Sequence, residues 1–174
     1  IDMVDEMNLR LVKAAEMLKT TPGELISKAQ SSMQEIRNLQ QTIEKMKDKV
    51  FAGDVNNLMF AAKKVGDLKV VTAVRQGAEA NDLRRLGDFL RDRDEAIVAV
   101  LGTVNGEKVT LLAVCGKQAV ASGIKAGDII KTIAPIVGGK GGGKPDSAMG
   151  GGTDVLKLDD ALAAVDNFVA EHLK

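Results

Sequence analysis

Glycines and lysines that could hold an anion are concentrated in one short segment of the chain. Residues 138–152 contain eight of the eighteen glycines. Glycine has no Cβ, so such a run can reach positive φ and a partner can approach its bare backbone. Successive free N–H groups can then form a concave site for an anion. The same composition is also typical of a mobile loop, and the residues alone leave both interpretations open.

Lysines flank this segment and could add positive charge to the same site. From Cys115 to Pro145 the chain carries five lysines against Asp128 alone, a local charge of +4. Contacts with phosphate position a partner but carry no sequence information. Lysine-rich segments are also commonly solvated faces, so this role stays open as well. The candidate nucleic-acid-binding residues are Lys131, Gly138, Gly139, Lys140, Gly141, Gly142, Gly143, Lys144, Gly150 and Gly151.

The sequence contains no recognisable catalytic or cofactor-binding constellation. The GGKGGGK segment is not a Walker motif, since no Ser or Thr follows a Gly-Lys pair to bind magnesium. It also does not open a helix directly after a strand, as a dinucleotide site requires. A zinc site of nitrogen and sulfur ligands is not expected, because the sequence has only one histidine, His172, and one cysteine, Cys115. We expect no catalytic residues, no metal and no cofactor in this fragment, and an inert, buried Cys115.

The part of the chain after Gly53 has a mixed pattern of helices and strands. Its apolar spacing predicts helices near residues 55–65, 79–93, 118–122, 128–137 and 158–173, and strands at 68–74, 96–104 and 108–114. This order predicts an α+β (mixed α/β) domain in which a small, three-stranded mixed sheet is covered by helices. The Gly-rich segment 138–152 is expected to be a loop before the last helix.

Two amphipathic helices are predicted before Gly53. The short turn at residues 20–24 contains Pro22 and Gly23, and helices joined by so short a turn are expected to fold back antiparallel. This coiled-coil-like hairpin could pack on its own domain, or it could dimerise or space domains. The apolar seams are Val4, Met7, Leu11, Ala14 and Leu18 in the first helix, and Ala29, Met33, Ile36, Gln40, Ile43, Lys47 and Val50 in the second.

Length and composition indicate a globular core with an appended helical piece. The chain has 174 residues, 45% apolar and 28% charged, and a net charge of zero, so any affinity for nucleic acid must be local. We expect a helical hairpin at 1–52 and a globular domain at 53–174. The chain starts at Ile1 rather than Met, so we expect it to be a fragment of a longer protein. With one cysteine no disulfide framework is possible, which fits a cytoplasmic location.

Four segments together carry a resemblance to a known family. Residues 138–151, GGKGGGKPDSAMGG, resemble the GGxGGGxPxxAxxGG signature near the end of alanyl-tRNA synthetases. Residues 83–91 (LRRLGDFLR) and 122–130 (SGIKAGDII) are similar to that family's LRxLxDxLR helix and xGxxAGxLI turn. Residues 18–25 (LKTTPGEL) are similar to its preceding hairpin turn. Lys140 and Lys144 stand where Gly and Arg are common in the family.

This resemblance implies a non-catalytic C-terminal module that binds tRNA. In the family this region contacts the outer corner of tRNA and helps the aminoacylation and editing domains to act on the same tRNA. Those two domains, with their zinc, ATP and alanine sites, are absent from this sequence. The implied partners are alanine-specific tRNA, the upstream domains of the same chain and a possible second copy in a homodimer, with no membrane partner.

Two other functions remain open at this point. A related domain closes DHH phosphoesterases, where the glycine segment helps to hold a nucleic-acid or nucleotide phosphate. That function predicts a His in or beside the segment, whereas this sequence has Pro145, Ala148 and a second glycine cluster. The other alternative is a module used mainly for homo-oligomerisation.

Overall fold

The computed structural model describes residues 3–173, and these form two compact units. The first unit ends at Val50 and the second begins at Phe51. The helices are α1 (Met3–Met17), α2 (Leu25–Phe60), α3 (Ala80–Arg93), α4 (Lys117–Ala121), α5 (Ala126–Ile133) and α6 (Leu158–His172). The strands are β1 (Lys63–Val65), β2 (Leu68–Val74), β3 (Ile97–Asn105), β4 (Lys108–Cys115), β5 (Lys140–Gly143) and β6 (Ser147–Gly152). Short 3-10 turns lie at Pro22–Glu24, Ala134–Val137 and Val155–Lys157. Within the described residues, no helix has the length and apolar character needed to cross a membrane.

The second unit is built on one mixed sheet with the strand order β1-β2-β3-β4-β6-β5. β2 and β3 run parallel and are joined through α3, while the other neighbouring strands are antiparallel. A parallel pair needs such a crossover, because a tight turn can only join antiparallel strands. The predicted α+β class is confirmed, and the three predicted strands correspond to β2, β3 and β4.

The sheet has six strands where the sequence predicted three. β1 is only three residues long and carries two lysines, so it has no strand-like apolar pattern. β5 and β6 consist largely of glycine, which is depleted in strands and gives no alternation of apolar and polar residues. The segment expected to be a loop is therefore a β-hairpin at the edge of the sheet.

Apolar side chains cover both faces of the sheet, and successive residues of β3 point to opposite faces. Val98 and Val100 belong to a core formed with α5 and α6, whereas Ile97, Ala99 and Leu101 belong to one formed with α3. All five side chains are fully buried. Because the central strands are buried on both faces, they are continuously apolar in sequence.

Helix α2 continues through Gly53, where the sequence predicted a boundary and a new helix. A glycine within a helix costs about 1 kcal/mol relative to alanine. The last turns of α2 offset this cost, because Val55 and Leu58 are buried in the core on the α3 side. The predicted helix near residues 55–65 is therefore the end of α2, which stops at Phe60.

The helices of the first unit leave their apolar seams exposed. The exposed fraction is 60% at Met7, 50% at Ile36 and 53% at Ile43. Ala15 is the buried residue of α1. At these positions neither helix buries the apolar seam of the other. A spacing of three and four predicts an apolar seam on each helix. It does not show whether the partner that covers the seam lies within the chain or outside it.

Candidate nucleic-acid interface

One face of the β5–β6 hairpin is packed tightly against α5. Gly141 pairs with Gly150 across the hairpin. A Cβ on Gly141 would lie 2.5 Å from Cγ2 of Ile130, and a Cβ on Gly150 would lie 2.7 Å from the same atom. Real Cβ atoms do not approach other atoms so closely, so these two glycines let α5 reach the sheet. Their primary role is in packing.

The glycines at the base of the hairpin, where β5 begins and β6 ends, also lie against backbone atoms. A Cβ on Gly139 would lie 1.6 Å from the carbonyl oxygen of Gly151. A Cβ on Gly152 would lie 2.0 Å from the carbonyl oxygen of Val137. Both obstacles are backbone atoms, which cannot move aside as a flexible side chain can. The glycine density of this segment is therefore largely explained by close backbone packing.

Several of the N–H groups expected to bind an anion are used within the chain. The N–H groups of Gly138 and Gly139 donate to carbonyls of the preceding 3-10 turn, each at 3.0 Å. Gly150 and Gly151 lie in β6, which has β4 on one side and β5 on the other. The expected run of successive free N–H groups is therefore wrong at these positions, because the segment forms sheet and turn hydrogen bonds.

The outer edge of β5 is the part of the hairpin backbone that stays open. β5 is the last strand of the sheet and has a neighbour on one side only. The N–H of Lys144 donates to the carbonyl of Ser147 at 2.9 Å, which fixes the hydrogen-bonded pair next to the turn. Hydrogen-bonded and non-bonded pairs alternate along antiparallel strands, so the N–H groups of Gly143 and Gly141 point away from β6. These two donors are positioned for a partner at the edge.

The opposite face of the hairpin forms a groove with α3. The groove has a volume of about 530 Å³. Neighbouring residues in a strand point to opposite faces, so Gly142 and Met149 face away from Ile130 and into this groove. The residues that line it are Arg84, Asp88 and Arg91 of α3, together with Gly142, Gly143, Lys144, Asp146, Ser147, Ala148 and Met149 of the hairpin.

Gly142 leaves part of the groove floor without a side chain. The nearest atom to a Cβ built on Gly142 is Cε of Lys131, at 3.9 Å. A Cβ at Gly142 would therefore be accommodated at an ordinary contact distance, in contrast to one at Gly141. Beside this bare floor, Nε of Arg84 donates to Sδ of Met149 at 2.9 Å, which holds the guanidinium over the hairpin. Backbone that is open on this face allows close approach by a sugar or phosphate.

Basic side chains lie in and near the groove, whose lining also includes the carboxylates of Asp88 and Asp146. Arg84 projects from α3, Lys144 follows β5 at the turn, and Lys140 is the exposed first residue of β5. Lys131, on α5, lies with Nζ 3.7 Å from Oδ1 of Asp128. The structure thus brings the predicted lysines 131, 140 and 144 to one edge of the sheet.

The sequence analysis did not assign the arginines of α3 to the site. Arg84 and Arg91 are seven residues apart, which places them on the same side of a helix two turns apart. Their spacing was visible in the sequence. That α3 lies beside the glycine hairpin was not, because this juxtaposition depends on the insertion of β6 next to β4.

A second cavity, of about 660 Å³, lies beyond the tip of the hairpin and reaches Cys115. Cys115 is buried as expected, and burial, with a smaller contribution from the charge of Asp146, raises the pKa of its thiol to about 12. A thiol with so high a pKa carries almost no thiolate at neutral pH and is a poor nucleophile. The cavity is lined by Arg91, Asp92, Glu95, Cys115, Lys117, Val120 and Asp146.

The fold of the second unit is that of a known domain family. Residues 67–171 match the model of the DHHA1 domain, and the chain belongs to this family. A solved structure, the C-Ala domain from Aquifex aeolicus alanyl-tRNA synthetase, matches with a TM-score of 0.59 and 27% identity. The match covers 63% of this chain and 97% of that one.

The similar full-length sequences are alanine–tRNA ligases. The chain is 37% identical to that of Methylobacillus flagellatus over 98% of its own length and 20% of the relative's. It is 40% identical to that of Thiobacillus denitrificans over 92% of its own length and 18% of the relative's. The chain thus spans about a fifth of these relatives. The resemblance to the C-terminal domain of alanyl-tRNA synthetases is confirmed.

Proposed function

We propose that this chain is the non-catalytic tRNA-binding module of an alanine–tRNA ligase. The observation that carries the proposal is the similarity over nearly the whole chain to these ligases, at 37% identity for one of them. The module would contact the outer corner of tRNA and help the aminoacylation and editing domains to act on one tRNA. These upstream domains and alanine-specific tRNA are its proposed partners, and the cytoplasm is its proposed location.

The groove beside β5 is the proposed RNA contact. Folded RNA is recognised mainly by shape and by contacts with phosphate and 2′-hydroxyl groups. Arg84, Lys140 and Lys144 would bind phosphates, and the bare floor at Gly142 would let the RNA backbone approach. The N–H groups on the open edge, at Gly141 and Gly143, would add hydrogen-bond donors. No step of this binding needs a metal or a cofactor.

The lysines of the hairpin provide the test of this proposal. Replacement of Lys140 and Lys144 by alanine should weaken tRNA binding and reduce the slope of log K against log salt by about one for each lost phosphate contact. The control replaces Lys64 in β1 and Lys45 in α2, two exposed lysines outside the hairpin, which removes the same charge. Equal effects of the two pairs, measured by filter binding over a salt series, would reject the groove as the RNA contact.

We also propose that the first unit supports homodimerisation, because its apolar seam is exposed. Ile36, Leu39, Ile43 and Met46 follow a spacing of three and four, and each is at least half exposed. Isoleucine and leucine in alternation at such positions favour two-stranded coiled coils. A second copy of α2 would cover this seam.

Charged substitutions in the seam test the dimer in the full chain. Ile36→Lys with Ile43→Lys should convert a dimer to a monomer in sedimentation equilibrium, because charges in a coiled-coil seam are poorly solvated. Gln34→Lys with Gln41→Lys is the matched control, since these residues lie on the opposite side of the helix. A wild-type chain that is monomeric at high concentration would contradict the proposal.

A further inference from the structure

The groove and the cavity at Cys115 meet at one cluster of charged side chains. Arg91 and Asp146 line both spaces. Nη1 of Arg91 donates to Oδ2 of Asp146 at 3.2 Å, and Nη2 donates to Oδ1 of Asp88 at 3.0 Å. Both ends of the guanidinium group are therefore already occupied by carboxylates. Such a fork is the side chain best suited to bind phosphate in two places at once, and here it is engaged before any ligand arrives.

The backbone holds Asp146 in this position. Asp146 follows Pro145 in the turn that the hydrogen bond from Lys144 to Ser147 closes. The carbonyl of Asp146 accepts from the N–H of Cys115 at 3.0 Å, and the carbonyl of Pro145 accepts from the N–H of Ala126 at 2.8 Å. The turn is thus fixed on one side by β4 and on the other by α5. The carboxylate of Asp146 is a positioned charge at the end of the groove.

The surroundings of Arg91 differ from those of Arg84 at the other end of the groove. At the Gly142 end, Arg84 provides positive charge. At the turn, Lys144 adds one positive charge, but the guanidinium of Arg91 itself faces the carboxylates of Asp88 and Asp146. A phosphate that enters this end must displace a carboxylate from Arg91 and also approach the charge of Asp146. Repulsion by Asp146 weakens the binding of a ligand that must approach its carboxylate. It weakens the binding of a ligand whose shape keeps it away from Asp146 much less.

We propose that Asp146 is a specificity-determining residue that withholds Arg91 from non-cognate polyanions. This inference rests on the proposed RNA-binding role of the groove. RNA whose backbone follows the groove past Gly142 is bound through Arg84 and the lysines, and it gains little from Arg91. A generic polyanion, which has no shape match to the groove, would benefit from every available cation and is therefore the ligand that Asp146 disfavours.

The test compares Asp146→Asn with the wild-type chain, with a short DNA duplex as the generic polyanion and tRNA as the cognate ligand. Exposed ion pairs are worth up to about 1 kcal/mol, so the substitution should raise affinity for the duplex about threefold to fivefold at low salt. Affinity for tRNA should change by less than about twofold, because the freed Arg91 contributes little to it. Asn keeps the backbone hydrogen bond of the turn.

Asp67→Asn is the matched control, because Asp67 also occupies a hairpin turn, between β1 and β2 at the opposite side of the sheet. It changes the net charge equally and should leave duplex affinity nearly unchanged. Equal gains from the two substitutions would overturn the proposal, as would equal gains for duplex and tRNA.

A double-mutant cycle tests whether Asp146 acts through Arg91. In an Arg91→Ala background, Asp146→Asn should no longer raise duplex affinity. A gain that persists without Arg91 would show a general charge effect and would overturn the proposed mechanism. If the wild-type chain failed to bind tRNA, the proposed function would fail, while the duplex measurements would still decide whether Asp146 restrains Arg91.

Discussion

Two of the three antiparallel hairpins in the sheet are packed in opposite ways. β3–β4 is packed by side chains, and its Leu101, Leu111 and Leu112 are fully buried. β5–β6 is packed by bare backbone, since Ile130 of α5 lies directly against Gly141 and Gly150. The difference shows that a glycine-rich segment can be as closely packed as an apolar strand. On one face of the hairpin the glycines allow close packing against α5, and only the opposite face is available to a partner.

The largest effect is expected in the hairpin that side chains fill. Leu101→Ala removes a fully buried side chain from the core on the α3 side and should destabilise the second unit by about 2–5 kcal/mol. Urea unfolding followed by circular dichroism measures this loss. A loss of unfolding free energy below about 1 kcal/mol would contradict the assignment of the core to β3–β4.

The glycine hairpin should be sensitive to added atoms on one face alone. Gly141→Ala places a Cβ 2.3 Å from Cα of Gly150 and should destabilise the unit by about 1–3 kcal/mol. Gly142→Ala, one residue away, should change stability by less than about 1 kcal/mol, because the nearest atom to its Cβ is Cε of Lys131 at 3.9 Å, an ordinary contact. Equal costs in urea unfolding would contradict the register of β5 against α5.

The contrast between the hairpins also explains what the sequence could and could not predict. β2, β3 and β4 were predicted closely, because continuous apolar runs identify strands buried on both faces. β5 and β6 were predicted as a loop, because glycine has no side chain whose alternation would identify a strand. The lysines at 131, 140 and 144 were found from composition. The groove was not, since it depends on α3 and β6 being neighbours in space, although they are more than fifty residues apart in the chain.

A smaller effect is expected from the ion pair at the start of β3. A hydrogen bond from Lys69 holds the pKa of the Asp94 carboxyl below its ordinary value, an effect that burial partly opposes. Because the folded pKa is depressed, the pair stabilises the fold above the ordinary pKa of an aspartate and loses this contribution as the pH falls through the folded pKa. Asp94→Asn should remove this pH dependence, worth up to about 1 kcal/mol, from acid unfolding curves. Acid unfolding curves of Asp94→Asn with the same slope as those of the wild-type chain would contradict this contribution of the ion pair.

The central claim is that the missing side chain at Gly142 makes room for a binding partner, whereas the missing side chains at Gly141 and Gly150 make room for packing within the fold. Gly142→Val tests it, since valine is favoured in strands and would cover the groove floor, while its Cβ makes only an ordinary contact with the flexible side chain of Lys131. The account predicts an unchanged unfolding free energy and a loss of tRNA affinity of about tenfold, or 1.4 kcal/mol, with the salt slope kept because the lysines remain. Unchanged tRNA affinity in a stably folded Gly142→Val chain would contradict the claim.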